Sequence, residues 1–208
     1  QTLTVPMKPN LHQVKSELTH ERLLNSALSL MQEKGAGRLS IQAVAQAAGM
    51  TTGAVHHHFP SKAALMMQVL SRLIDSLESD TDFWPSPRWS LRRRSEHFVQ
   101  QAWAQLYSQP RFASAWAAYL AAVDDAVMTA HIIEQRSLIQ QRLRVQFMAS
   151  FPEIAIHPQA DAHMQFVLTT LRGLGLVRPF ASAATIDSQL TILPKFIQSI
   201  PTNPQETP

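Results

Sequence analysis

Apolar positions recur every three or four residues from Thr19 onward, with Leu23, Leu24, Ala27, Leu28 and Met31 on one stripe, which predicts a helix closed by Gly35 and Gly37. A shorter stripe follows Ser40, whose hydroxyl can cap free N–H groups, and carries Ile41, Val44, Ala45 and Ala48. Gly49 supplies a tight turn, Thr51 or Thr52 caps the next segment, Val55 points inward, and Pro60 ends it. Ser61 then caps a long helix with Leu65, Val69, Leu70, Leu73 and Leu77 on one side. Two short helices joined by a glycine turn, set between two longer ones, predict a helix-turn-helix.

The segment Asp80 to Ser90, with Pro85 and Pro87, reads as a linker. No glycine occurs from Ala54 to Arg172, which suits a run of helices. Their inward positions are Leu91, Phe98, Val99, Ala102, Trp103 and Leu106; then Phe112, Ala115, Trp116, Tyr119, Leu120 and Val123. A longer helix is expected over about Ala126 to Ser150, with Ile132, Ile139, Leu143 and Phe147 inward and Arg136, Arg142 and Arg144 outward. From about Gln159 to Leu176 apolar residues cover more than one face, so this helix should be buried on two sides, the second side against another subunit. Ile186, Leu190, Leu193, Ile197 and Ile200 form a coiled-coil-like seam, with Pro194 expected to kink or restart the helix. The expected fold is therefore all-α in two domains. The divisions are a flexible arm over 1–17, a helix-turn-helix domain over 18–62, a connecting helix over 63–79, a second helical domain over 80–201 and a disordered tail over 202–208.

Composition narrows the class. At 208 residues no metal or disulfide is needed for a core. The absence of cysteine fits a reducing cytoplasm and excludes disulfide scaffolds, Cys-based zinc sites and thiol catalysis. No apolar run approaches the roughly 20 residues of a membrane span, and no signal-peptide core precedes the first helix, so a cytoplasmic protein with no membrane partner is expected. A first residue other than methionine suggests that processing or trimming preceded Gln1. Charge is unevenly placed: residues 1–62 hold six Lys/Arg against three Glu, a net of +3, and five of the nine histidines. This favours a polyanion at the N-terminal end, and dimerisation would double the charge.

On the second short helix, Gly53 and His57 lie opposite Val55, flanked by Ala54 and His56. Small residues at the entering end allow close approach to base edges in a major groove, and the histidines can donate to phosphates. Lys62, in a first helical turn, suits another phosphate. The triplet His56-His57-His58 does not read as a metal site, because adjacent helical residues diverge while paired ligands need three or four residues between them. His58 is expected to be structural. Arg92-Arg93-Arg94 reads as a solvated run.

Val44-Ala45, Ala48-Gly49, Gly53, Val55, His56, His57-His58, Phe59 and Ser61-Lys62 together resemble the DNA-binding signature of TetR/AcrR-type bacterial transcriptional regulators. The resemblance covers about the first third of the chain, with His56 standing where the family commonly has tyrosine. It implies a homodimer, formed through the last two long helices as a four-helix bundle, that binds a double-stranded DNA operator. Thr52, Gly53, Ala54 and His57 would approach bases, and Ser40, Thr51, His56 and Lys62 would hold phosphates. It also implies a small-molecule effector in the second domain, whose candidate lining is Trp103, Tyr107, Trp116, Tyr119, Phe147, His163 and Phe166. The expected function is a repressor released from its operator by a small apolar or aromatic effector.

Two other classes fit the sequence less well. One is a ligand-independent DNA-binding dimer whose second domain takes a protein partner. The other is a helical enzyme, but no nucleophile elbow, phosphate-binding glycine loop, paired-histidine helix or dinucleotide fingerprint occurs, so no catalytic residue, metal or cofactor is assigned.

Overall fold

The computed structural model describes residues 11–34, 38–78, 82–121 and 123–200. The expectations placed on 1–10, on Gly35 and Gly37 and on the tail after 200 lie outside the described residues, as do those for the side chains of Leu70, Leu73 and Leu77. The described residues form helices and turns without strands. The chain divides into two compact units, 1–69 and 70–208.

The first unit contains α1 (Leu11–Lys34), α2 (Ile41–Ala48), α3 (Thr52–His58) and the start of α4 (Lys62–Glu78). α1 begins eight residues before the apolar stripe that announced it. Leu11, Val14 and Leu18 fall there at helical spacing, but polar residues outnumber them and Leu18 is largely exposed, so the stretch did not stand out as a buried stripe. Residues 11–17, assigned to the proposed arm, are helical. Leu23, Leu24, Ala27, Leu39, Val44, Ala45, Ala48, Val55 and Phe59 are buried. They give α1, α2 and α3 a common core.

Local chemistry sets each boundary in this unit. The Ser40 and Thr51 hydroxyls accept from the N–H groups of Ala43 and Ala54, both at 3.1 Å, capping α2 and α3. Gly49 closes α2 at φ 65°, a left-handed conformation, while the N–H groups of Gly49 and Met50 donate to Gln46 and Ala45. Ser61 accepts from Ala64 N–H at 3.0 Å and opens α4.

The second unit contains the rest of α4, then α5 (Leu91–Ala102), α6 (Pro110–Ala121), α7 (Ala126–Ser150), the short α8 (Pro152–Ala155), α9 (Ala160–Val177) and α10 (Ala183–Ser199). Residues 82–90, read from the prolines as a linker, are instead docked. Phe83 and Pro85 are buried, Trp84 stacks on Phe98 at 5.6 Å, and Asp82 C=O lies 2.6 Å from His97 Nε2. Phe98 continues into Phe147 and Phe151, a closed aromatic core.

Arg94 corrects the reading of its run. Arg92 and Arg93 are exposed, but Arg94 is 2% exposed; it donates to Ser150 C=O at 2.9 Å and forms a two-pronged ion pair with Glu153. α5 thereby holds the end of α7 and the start of α8. Arg142, expected to face outward, reaches Asp75 and Ser71 on α4, while Arg144 pairs with Asp161 at 2.6 Å.

After Ala102 the helix widens into a π turn over Trp103–Tyr107, marked by Ser108 N–H donating to Trp103 C=O at 2.9 Å. Side chains of Gln109 and Arg111 donate to the C=O groups of Ala104 and Gln105. The widened backbone brings the Tyr107 carbonyl against α9 at Gly175, where a Cβ would lie 2.4 Å from the Tyr107 oxygen. Gly175→Ala is thus expected to force backbone apart. Overpacking costs about 1–3 kcal/mol, partly offset by the ~1 kcal/mol that alanine gains over glycine inside a helix. Urea unfolding should show a net loss on the order of 1–2 kcal/mol, and an unchanged midpoint would refute the close approach.

The apolar seam of α10 is also placed differently. Ile186, Leu193, Ile197 and Ile200 are buried, and α10 packs chiefly on α5 of the same chain; it runs on through Pro194 as one helix. Outside that seam, Phe166 and Val177 on α9, Phe180 after it and Ile192 on α10 are exposed.

Candidate nucleic-acid interface

Val55 and Phe59, both fully buried, fix α3 by one face. Thr52, Gly53, His56 and His57 are exposed and Ala54 is half-buried, so the residues expected to meet DNA lie away from the core. Gly53 and His57 are one helical turn apart, as are Thr52 and His56, which places two ranks of small then polar side chains along the exposed surface. Nothing but Thr51 Oγ1, at 3.8 Å, comes near the position of a Gly53 Cβ, so the entering end of α3 is open.

Ser40 and Thr51 are exposed caps, each with its side-chain oxygen already accepting from the helix it opens. The hydroxyl proton of each is left available to a phosphate oxygen. Lys62 is exposed at the first position of α4. Arg38, exposed two residues before the Ser40 cap, is a further cation on this unit that the motif alone did not single out.

His58 does not share the outward surface. Its ring lies 5.8 Å from His20 of α1 and 5.3 Å from His57, and the His20 ring lies tilted against Phe59 at 4.7 Å. Burial, then the neighbouring His20 and His57, hold the His58 imidazole below its ordinary pKa of 6.5. The unfolded chain therefore binds this proton more readily than the folded one. Its penalty is absent above pH 6.5 and grows as pH falls from there to the lowered folded value. Melting temperature is expected to drop between pH 7.5 and 5.5, and less so in His58→Asn; parallel profiles would exclude His58 as the cause. Among the described residues no group of three or more His, Cys, Asp or Glu is arranged to hold a metal ion.

The seven aromatic and histidine candidates of the second unit fall into four groups by their ring contacts and groove lining. Tyr107, Trp116 and Tyr119 join through Phe112, with ring separations of 4.9, 6.4 and 5.5 Å along the series Tyr107–Phe112–Trp116–Tyr119. Trp103 lines a separate open groove of about 340 Å³ with Val99, Leu190 and Pro194. Phe147 is enclosed by Phe98 and Phe151. His163 and Phe166 meet at Phe196. Missing from the expectation were Arg136 and Arg172, whose guanidinium carbons lie 4.8 and 5.1 Å from the Trp116 ring centre. Their helices show no charge pattern that would have pointed inward.

Residues 23–69 match the family model described as bacterial regulatory proteins, tetR family. Over 55 residues the chain is 34% identical to the HTH-type transcriptional repressor KstR2 of Rhodococcus jostii (strain RHA1), a stretch covering 26% of this chain and 27% of that protein. The chain thus matches about a quarter of the curated relative's length. Two solved structures extend the likeness. A transcriptional regulator from Rhodococcus sp. Rha1 is 24% identical, with a TM-score of 0.61 over 91% of this chain and 99% of that one. A TetR transcriptional regulator from Rhodococcus sp. RHA1 is 18% identical, with a TM-score of 0.63 over 88% and 96%. At these identities the structures speak for the fold, and the N-terminal match speaks for the domain. Residues 23–69 thus form a domain of the tetR-family kind at the N-terminal end, and the chain as a whole shares the fold of these solved structures.

Proposed function

We propose that the protein is a transcriptional repressor that binds an operator as a homodimer and is released by a small molecule held in its second unit. The observation that carries the DNA-binding part is the buried pair Val55 and Phe59, which anchors α3 with Thr52, Gly53, His56 and His57 outward. A helix so anchored can enter a major groove by its small end. Thr52, Gly53, Ala54 and His57 then face base edges, with Ser40, Thr51, His56 and Lys62 on phosphates.

Dimerisation is supported by the exposed Phe166, Val177, Phe180 and Ile192, apolar surface on α9, α10 and the turn between them. The second unit begins inside α4. No described helix is long and apolar enough to cross a membrane, which agrees with a cytoplasmic site of action. Release requires an effector with different affinity for the DNA-bound and free arrangements. α4 has residues in both units and is the element through which such a difference would pass. No catalytic role is assigned.

The test is a gel-shift titration of the full chain on DNA upstream of its own gene, at two salt concentrations and with competitor DNA. Specific operator binding is expected to survive competitor and to weaken steeply with salt. Binding that competitor removes at both salt concentrations would overturn an operator at that locus.

A further inference from the structure

Two guanidinium groups share one indole. Arg136 of α7 and Arg172 of α9 both lie against Trp116 of α6, at 4.8 and 5.1 Å from its centre. Cation–π attraction accounts for one cation on an indole, but a second brings like-charge repulsion with it. Among the described residues, neither arginine has an ion pair or hydrogen bond that would offset the repulsion. Glu134 of α7 and Asp124 of the turn before it are exposed, and neither makes an ion pair with either arginine. Burial and then Arg172 lower the proton affinity of Arg136, and no carboxylate opposes them.

Beside this pair stands an unsatisfied donor. Tyr119, one turn along α6 from Trp116, is 5% exposed, and its buried hydroxyl has no hydrogen-bond partner. An orphaned buried hydroxyl is costly, and native proteins rarely leave one without a reason. Tyr119 feels the charge of Arg136, and Tyr107, pushed up to about 12 by burial, feels that of Arg172. The phenols and guanidiniums therefore lie within electrostatic reach of each other. Tyr107, Phe112 and Trp116 supply apolar walls next to them.

We propose that Arg136 and Arg172 form an anion clamp over Trp116, completed by the Tyr119 hydroxyl, and that the effector is an amphiphile with a carboxylate or phosphate head and an aromatic or aliphatic body. The proposal rests on the effector reading and sharpens it: a neutral apolar effector would leave both cations and the phenol without a partner, whereas an oxyanion satisfies all three with charge-assisted hydrogen bonds.

Calorimetric titrations of the full chain with decanoate, 3-phenylpropionate, decyl phosphate and the methyl esters of the two acids test it, run beside operator release in the gel shift. At least one anion is expected to bind tenfold or more tightly than its neutral counterpart, decyl phosphate being judged against decanol. Comparing decanoate with decyl phosphate separates a carboxylate head from a phosphate head. Arg136→Gln with Arg172→Gln should erase that preference while the melting temperature confirms folding. Tyr119→Phe should weaken the anion several-fold and leave the ester unchanged. Equal binding of anion and neutral molecule, binding by none of the probes, or an anion preference that survives the double substitution would overturn the clamp. Operator release by an ester but not by an acid would overturn it while upholding the effector reading. Anion binding through the arginines without operator release would uphold the clamp and overturn that reading.

Discussion

Replacing Glu153 by alanine is expected to destabilise the second unit by about 2–4 kcal/mol in chemical denaturation, because it leaves the buried Arg94 charge without its partner. Arg94 has a side chain only 3% exposed, whereas Glu153 is 40% exposed. Water reaching the carboxylate lowers the figure from that of a fully buried pair. The damage comes from the stranded cation rather than from the lost attraction. A double variant, Arg94→Met with Glu153→Ala, should therefore cost less than Glu153→Ala alone, although Ser150 C=O also loses its donor. If the double variant were the less stable of the two, the stranded cation would not be the source of the damage.

The same pair has a signature in pH. Hydrogen bonding from Arg94 holds the Glu153 carboxyl below its ordinary 4.5, with burial opposing. A depressed carboxyl contributes stability that is complete above 4.5 and is lost as pH falls through the folded value. Glu153→Ala should flatten the acid limb of the stability profile, and an identical limb would remove Glu153 from its causes.

The second large effect concerns DNA. His57→Ala combined with Lys62→Ala is expected to weaken specific operator binding by about 100-fold or more while leaving the protein folded. Both side chains are exposed, so no core contact is lost. In a dimer the substitution removes contacts in both half-sites. Lys62 releases counterions on binding, so the slope of log affinity against log salt should become shallower by about 2 per dimer. His57 is expected to act on sequence preference instead, through base edges. Arg92→Ala, an exposed cation of the second unit, is the matched control and should leave affinity unchanged. Unaltered operator affinity in the double variant would sink the interface assignment.

Local signals account for what could be read early. Ser40, Gly49, Thr51, Pro60 and Ser61 act on backbone within three or four residues, so caps, turn and stops were legible from the chain, and they bound α2 and α3 as expected. Period read as helix held for the same reason, since apolar spacing is a property of one helix. It failed in the first turns of α1, where polar residues outnumber Leu11, Val14 and the exposed Leu18, and where prolines suggested a linker but Phe83 and Pro85 found a core to bury against.

By itself the sequence determined the order of the longer helices, the all-α class and the outward set of α3, because periodicity and capping are local; the short α8 and the π turn were not legible in it. Only the tertiary structure decided which partner each long side chain met. Arg94 and Arg93 are neighbours, yet one is buried against Glu153 and the other lies over Trp89; Arg136 turns to Trp116 and Arg142 to Asp75. The seam of α10 is satisfied by α5 of the same chain, which spacing alone cannot distinguish from a seam between subunits. Most of these choices depend on residues on other helices, whose approach is set by the packing of whole helices and leaves no periodic trace in the chain.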